Sequence, residues 1–360
     1  MLLGKDRDYR IRQNPRGMRQ TMQLFKSKTL VIPGVAGILF ACVGLLPGQT
    51  VKEKAAVAAF QYAAEHGDAT AQYNLGLLYE SGKLVERNPS VAAGWLRKAA
   101  DQGLSDAAVD LGIMYGKGDG IPQNSSEAVR YYRIAAEHNH SLGEALLGVS
   151  YYEGDGVATD YKEAAYWLRK ADDQGKHDTE LIIAKIYLTG APNFPRDYEE
   201  GAHWLRTASD HGNSEAQADL GAMYYTGEHL RQDWNAAASL LQNPANQGDL
   251  NAQHYLGAIY IQGGFGVAAN YSEAARWLTR AAKQGDENSQ FGIGSLYRAG
   301  YGVPKDPVLA YMWLDLAAAG GPSADQARAS RDALESGMTP EQIAEAGRLV
   351  REWKPISEKQ

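Results

Sequence analysis

One cysteine, Cys42, is all the chain contains. An intrachain disulfide is therefore impossible, and so is a metal site built from several thiolates. Phenylalanine is scarce, six residues against 21 tyrosines, and 13 prolines stand against 39 glycines. Many glycines at regular intervals point to recurrent turns rather than one irregular fold. Positive charge is missing from most of the chain. Residues 1–29 hold eight basic residues (Lys5, Arg7, Arg10, Arg12, Arg16, Arg19, Lys26, Lys28) and two acids (Asp6, Asp8), a net +6, whereas the whole chain is −7, so residues 30–360 carry −13. An acidic body cannot neutralise a phosphate backbone, and nucleic acid is not an expected partner.

Catalytic signatures are missing as well. The eight histidines (His66, His138, His140, His177, His203, His211, His229, His254) form no His-Glu-x-x-His or comparable metal-ligand spacing. Gly116-Lys117-Gly118-Asp119-Gly120 is no phosphate loop, because such a loop joins a strand to a helix, and this one joins two helices and recurs as a connector. No Gly-x-Ser-x-Gly elbow occurs. The sequence thus names no catalytic residue, no metal ligand and no cofactor, and the expectation is a non-enzymatic protein.

Only one long apolar run is present, Leu30–Leu46, with no charged residue in it. As a helix its 17 residues would span about 26 Å, just under a ~30 Å hydrocarbon core. Lys26 and Lys28 precede it and Lys52 is the next charge, so the positive-inside rule puts residues 1–29 in the cytoplasm and the body on the far side. The run reads as an uncleaved membrane anchor, with two alternatives. One is a lipoprotein signal at Leu39-Phe40-Ala41-Cys42; the other is a cleaved signal starting from Met18 or Met22. All three export the body.

What is abundant is a repeat. A Leu-Gly-x-x-Tyr motif recurs seven times, its glycine column reading Gly76, Gly112, Gly148, Ala184, Gly221, Gly257, Gly294, in steps of 36, 36, 36, 37, 36 and 37. A second motif, Trp-Leu-Arg-Lys-Ala-Ala in its clearest copy, follows the first: Trp95, Trp167, Trp204 and Trp277 mark it, with Tyr132–Ala136 and Trp313–Ala318 looser copies. Gly-rich loops lie between the halves. They end on a cap column of Asn88, Asn124, Asp160, Asp197, Asp233, Asn270 and Asp306, residues that accept hydrogen bonds from free N–H groups at a helix start. Glu163, Glu200 and Glu273 sit three residues later, at capping-box spacing. The spacing from glycine column to cap column is 13 at Ala184–Asp197 and Gly257–Asn270 and 12 elsewhere, so both extra residues fall in loops. Each unit reads as helix A, loop, helix B and a tight turn. Neither helix buries its apolar stripe alone, so successive pairs must stack.

These motifs resemble the Sel-one-like repeat, a relative of the tetratricopeptide repeat, over roughly residues 54–320. The resemblance implies an all-α fold: an αα superhelical solenoid of about seven helix pairs with a C-terminal capping helix, binding other proteins. It also implies the roles common among bacterial members, adaptors in envelope assembly, exopolysaccharide regulation, secretion or host contact. Two departures stand out: Ala184 for Gly in repeat 4, and Ser239–Pro244 for the Trp motif in repeat 5, where Pro244 is expected to shorten helix B. Lys54–Glu65 matches a helix B without its helix A. Thr339–Gln342 is a capping box opening a helix whose stripe of Ile343, Ala346, Leu349, Val350 and Trp353 should cover the last repeat. The domains expected are therefore a basic cytoplasmic segment (1–29), an anchor or signal (30–47), the solenoid (51–321) and C-terminal capping helices with a tail (322–360).

A partner should meet helix A on the face that varies. The positions equivalent to Asn74 and Glu80 change from repeat to repeat, and in repeats 3 to 6 they hold Leu146, Tyr152, Ile182, Leu188, Tyr225, Tyr255 and Ile261. By the resemblance, helix A lines the concave surface, which makes these residues the expected groove for a protein partner. A tight superhelix buries part of its own inner surface, and that is the competing reading of the same residues. The alternative function is a periplasmic receptor for peptidoglycan or exopolysaccharide with tyrosines stacking on sugars. The tryptophans, at a fixed place in helix B, are expected to be core.

The export reading is directly testable. A reporter that is active only outside the cytoplasm, fused after Gln360, should be active; a strong cytoplasmic signal without exported activity refutes export. Loss of membrane attachment in Cys42→Ala would identify the lipoprotein alternative.

Overall fold

The computed structural model describes residues 51–358. The apolar run Leu30–Leu46 and Cys42 lie outside the described residues; among those described, no helix is long and apolar enough to cross a membrane.

Seventeen α-helices make up the described chain, apart from one 3-10 turn at His177–Thr179, and no strand longer than an isolated bridge is present among the described residues. Helix α1 is Val51–Glu65. The A helices are α2 (Ala69–Ser81), α4 (Ser105–Lys117), α6 (Ser141–Glu153), α8 (Glu180–Thr189), α10 (Ser214–Thr226), α12 (Leu250–Gln262) and α14 (Glu287–Ala299). The B helices are α3 (Pro89–Asp101), α5 (Ser125–Glu137), α7 (Tyr161–Asp172), α9 (Tyr198–Asp210), α11 (Trp234–Asn246), α13 (Tyr271–Lys283) and α15 (Pro307–Ala317). Helices α16 (Ala324–Glu335) and α17 (Pro340–Glu352) follow. The described chain divides into two compact units, 51–197 and 198–358, and the division falls inside the fourth helix pair. Within each unit successive helices pack on their sequence neighbours, so the fold is all-α, helix pairs stacked as an αα solenoid.

The glycine column explains the pairing of A with B. A Cβ on Gly148 would stand 2.7 Å from the Leu168 Cγ, and one on Gly257 2.5 Å from the Leu278 Cδ2; Gly76, Gly112, Gly221 and Gly294 meet Leu96, Tyr132, Leu241 and Leu314 in the same way. Helix A therefore presses bare backbone against the residue that follows the Trp column of its own helix B. That residue, Leu96, Leu168, Leu241, Leu278 or Leu314, is fully buried or nearly so.

The loop between the pair is set by two ties. The cap residue donates its N–H to the carbonyl of the motif tyrosine in all seven repeats, from Asn88 to Tyr79 through Asp306 to Tyr297, at 2.8–3.1 Å. Its side chain accepts from the first turn of helix B, as Asn124 does from the Glu127 N–H and Asp306 from the Val308 and Leu309 N–H groups. The N3 glutamates do other work than the capping-box spacing suggests: Glu163 accepts from the Trp167 indole, Glu200 from the Trp204 indole, and Glu273 pairs with Arg276. A complete capping box stands at Thr339 and Gln342. In loops of ordinary length, helix A ends on a left-handed glycine such as Gly154 (φ 73°, ψ 27°). In the two loops with an inserted residue the terminating glycine is extended instead, Gly190 at ψ 175° and Gly263 at ψ 170°, and the extra residue closes a small bridge, Ala191 with Phe194 and Gly264 with Val267.

Pro244 does not shorten its helix. Helix α11 runs 13 residues, as most B helices do, with Pro244 buried in its last turn. Proline lacks the N–H that would bond the carbonyl four residues back, but in a last turn this costs one bond, and the chain proceeds through Gln247 N–H to the Asn243 carbonyl and Asp249 N–H to the Pro244 carbonyl. The tryptophans expected to be core are largely that: Trp167, Trp277 and Trp313 are buried, while Trp95 and Trp204 are half-buried. At the end of the second unit, Leu349 and Val350 of α17 and Trp353 just after it pack on the cluster of Met312 and Trp313, and Ala327 of α16 packs with Ala317, Ala318 and Phe291.

The glycine column makes a signed prediction. Gly148→Ala gains up to ~1 kcal/mol of helix propensity but overpacks against Leu168, an effect of about 1–3 kcal/mol, so it should lower stability. Gly94, mid-helix in α3 with nothing within 4 Å of its would-be Cβ, lacks that opposing effect, and Gly94→Ala should raise stability by up to ~1 kcal/mol. Paired chemical denaturation curves check both; a stabilised Gly148→Ala would mean the helices are not held at this distance.

Candidate functional site

Each A helix presents one face to its own B helix and another to the chain's surroundings, and the variable columns lie between. The structure separates the seven expected groove residues into two groups. Leu146, Leu188 and Tyr225 are buried, each 6% exposed, so at these three positions the open apolar face expected from sequence is not there. Tyr152, Ile182, Tyr255 and Ile261 are half-buried. For Leu146 and Tyr225 the physical reason is lateral packing of A helices: α4 touches α6 in the first unit, and α10 touches α12 and α12 touches α14 in the second. A side chain at a shared edge then serves the stack before it serves a ligand.

Tyr225 shows how completely. Its ring packs tilted against Tyr255 of the next A helix at 4.8 Å and stacks on Trp234 at 6.0 Å, and it belongs to a core cluster with Leu241, Ile259 and Trp277. Its carbonyl accepts from the Trp234 indole at 3.1 Å. Burial pushes its phenol up to about 12. Ile261 leans on the next cluster along, with Ile293 and Leu296, and Tyr152 stacks on Tyr161 at 5.7 Å. The surface that remains on this face is a set of partly open apolar side chains among polar ones: Tyr152 and Ile182 in the first unit, Tyr255, Ile261 and the exposed Arg298 in the second.

Two recurrent polar columns join one repeat to the next. At the fourth position of helix A, Gln72, Gln217, Gln253 and Gln290 donate to carbonyls at the end of the preceding B helix (or of α1, for Gln72): Ala64, Ser209, Ala245 and Ala282, at 3.0–3.4 Å. These last-turn carbonyls also accept from the glycine N–H of the following turn, as Ala245 does from Gly248 and Ala282 from Gly285, so each glutamine adds a second donor at the helix end. The second column is a ladder of spacing 18: Arg133 donates to the Tyr151 hydroxyl at 2.7 Å, Arg206 to that of Tyr224 at 2.9 Å, and Gln242 to that of Tyr260 at 3.3 Å. Arg169 keeps the geometry over the Tyr187 ring at 5.2 Å. Sequence reasoning overlooked both columns, although the signal was present. Glutamine stands four residues before the glycine column in four of seven repeats, and arginine of the second motif recurs 18 residues before the next motif tyrosine.

The titratable groups on these faces are tied to structure. Tyr73 donates to Asp110 of the next A helix, and its phenol is raised by burial and by the nearby Asp110 and Asp106 charges. Asp286 caps α14 and pairs with His254 at 3.1 Å; burial opposes its ionisation, but hydrogen bonds from His254 and Ser289 outweigh it and hold the carboxyl below its ordinary range.

The Sel1 repeat family model matches seven segments of the chain, 69–104, 105–140, 141–176, 181–213, 214–249, 250–286 and 288–322. Among solved structures, the chain is similar to c5321, a protective antigen present in uropathogenic Escherichia coli strains displaying an SLR fold, at 28% identity over 82% of this chain and 71% of that one, TM-score 0.55. It is also similar to a Sel1 repeat protein from Oxalobacter formigenes, at 27% identity over 86% of this chain and 88% of that one, TM-score 0.57. No curated protein sequence matches significantly.

The burial pattern reverses the naive expectation for one tyrosine. Tyr225→Ser should unfold the protein more easily, by about 3 kcal/mol on large-to-small precedent, whereas Arg298→Ala, at an exposed position of the same column, should stay within about ±0.5 kcal/mol. Denaturant midpoints decide; equal, small effects would show that Tyr225 is not core.

Proposed function

This chain belongs to the Sel1 repeat family, and from that membership we propose that it is a non-enzymatic scaffold that holds a protein partner in the bacterial cell envelope against the variable face of its A helices. Sel1 repeat proteins generally mediate protein–protein contacts and are generally non-catalytic. The observation that carries the reading to this chain is the split within each A helix. The glycine, leucine and alanine columns are buried and repeated, while the columns of Asn74 and Glu80 differ from repeat to repeat and keep Tyr152, Ile182, Tyr255 and Ile261 partly open. Large apolar and aromatic side chains with a polar surround are what protein interfaces use as anchors.

The envelope part of the proposal rests on the sequence. The +6 charge of residues 1–29 ahead of the uncharged run Leu30–Leu46 is the pattern of an N-terminal membrane anchor with the body on the far side. The glycan alternative is less well supported, because it needs free tyrosine faces. The motif tyrosines Tyr151 and Tyr224 are instead bonded by arginines, and the rings of Tyr225 and Tyr255 pack against each other.

A photo-cross-linking amino acid placed at Ile182 or Tyr255 should capture a protein in cells of the native host, and one at Tyr166, exposed on helix B, should not. Cross-links from Tyr166 alone would move the partner to the other face and end this assignment.

A further inference from the structure

After α17 the chain does not leave the surface. Residues 353–358 run without helix across the turns that follow α11 and α13. The Ile356 N–H donates to the Lys283 carbonyl at 2.9 Å. Two residues on, one carboxylate oxygen of Glu358, Oε2, accepts from three donors: Arg280 Nε at 2.9 Å, Arg280 Nη2 at 2.6 Å and Gln253 Nε2 at 2.8 Å. Gln284 completes the floor, donating to the Gln253 side chain at 2.9 Å and to the Gly248 carbonyl at 3.2 Å, with its own Oε1 3.5 Å from the Glu358 N–H. Gly248 leaves the room: a Cβ there would stand 2.7 Å from the Glu358 carbonyl carbon.

The three columns that build this slot exist in other repeats and are filled differently. In repeat 1 they are Gln72, Lys98 and Gln102, and the two glutamines bond each other at 2.7 Å. In repeat 3 they are Glu144, Lys170 and Gln174, where the buried Glu144 supplies its own carboxylate to Lys170 at 3.1 Å and to Gln174. In repeat 5 they are Gln217, Asn243 and Gln247, with no cation among them. Repeat 6 pairs a cation that forks onto carboxylates with a glutamine where repeat 3 has an acid, so the carboxylate comes from outside the repeat.

We propose that repeat 6 carries a peptide slot reading one glutamate on an extended segment, that the chain's own tail holds it shut, and that a partner's extended glutamate-bearing segment enters by displacing that tail. The seated tail states the occupant's chemistry: a backbone N–H for the Lys283 carbonyl, and two residues later a side-chain carboxylate for Arg280 and Gln253. A tethered tail competes at high effective concentration, which makes the slot a latch rather than an open site. The proposal rests on the reading that this protein holds polypeptides, but its test needs no native partner, so cross-linking at the A-helix face and occupancy of this slot succeed or fail separately.

The probe is a fluorescein-labelled synthetic peptide of residues 353–358 with an amidated end, titrated against the full chain. The unmodified chain should bind it weakly. The full-length variant Ile356→Pro/Glu358→Gln, which removes the tail's backbone donor and its charge, should bind it about tenfold tighter or more. Binding should be lost when Arg280→Gln is added, and lost without any protein change when the peptide carries Gln in place of Glu. Equal binding by the unmodified and tail-weakened chains, or binding that survives the Gln peptide, overturns the slot. A concentration-dependent dimer of the unmodified chain that Glu358→Gln dissolves would place the tail in a second copy's slot, which also overturns the partner reading.

Discussion

Everything in this fold depends on how closely helix A approaches helix B within a repeat. A glycine on A facing a leucine (or Tyr132) on B removes the side-chain layer that usually separates two helices, and six of the seven repeats use it. Once that contact is fixed, much else is fixed with it. The B residue after the Trp column must be large and apolar to fill the gap. The loop between the helices must return over a set distance, and the bond from the cap N–H to the motif-tyrosine carbonyl, present in all seven repeats, records that. An inserted residue then has nowhere to go but the loop tip, where it appears at Ala191–Phe194 and Gly264–Val267 as a bridged turn that leaves the tie intact.

The joining of one pair to the next is a different kind of contact, more polar and more variable. The glutamine column bonds last-turn carbonyls of the preceding B helix, and the arginine–tyrosine ladder spans the same junction. Net contributions of single hydrogen bonds are about 1 kcal/mol each, but leaving a buried donor or acceptor without one costs more. These columns therefore act mainly as conditions for stacking. They also explain the paucity of open apolar surface on the A helices: the edges a groove would use are the edges the stack uses, as Leu146 and Tyr225 demonstrate.

Fold class, repeat count and the placing of both insertions were legible because each rests on a short-range rule that recurs: glycine at a close approach, Asn or Asp at a helix start, a fixed loop length. Pro244 and the N3 glutamates were not legible for a shared reason. Each was read by a local rule, and each outcome was decided by what lies a turn away, the end of α11 for Pro244 and the indoles of Trp167 and Trp204 for the glutamates. The candidate surface was legible only as a set of columns. Which members stay open depends on how neighbouring A helices meet, a distance of 36 or 37 residues in sequence but one helix width in space.

In such a chain the columns committed to packing cannot carry individuality, so it must enter through the few positions that tolerate exchange. The fourth position of helix A is one. Glutamine there satisfies the preceding helix end and leaves the local charge unchanged, while glutamate there, as at Glu144, brings a buried negative charge that Lys170 must answer inside the same repeat. With glutamine at 253 and arginine at 280 the balance is reversed: the cation remains and the acid does not. A carboxylate from elsewhere is then favoured at that spot, and burial alone would not suffice to hold it, since burial raises its pKa. The hydrogen bonds from Arg280 and Gln253 and the nearby positive charges reverse that and keep Glu358 below the ordinary range for a glutamate. Two exchanges in the repeated columns, glutamine for glutamate and arginine for lysine, thus turn an internal ion pair into a point where another segment of chain can be held.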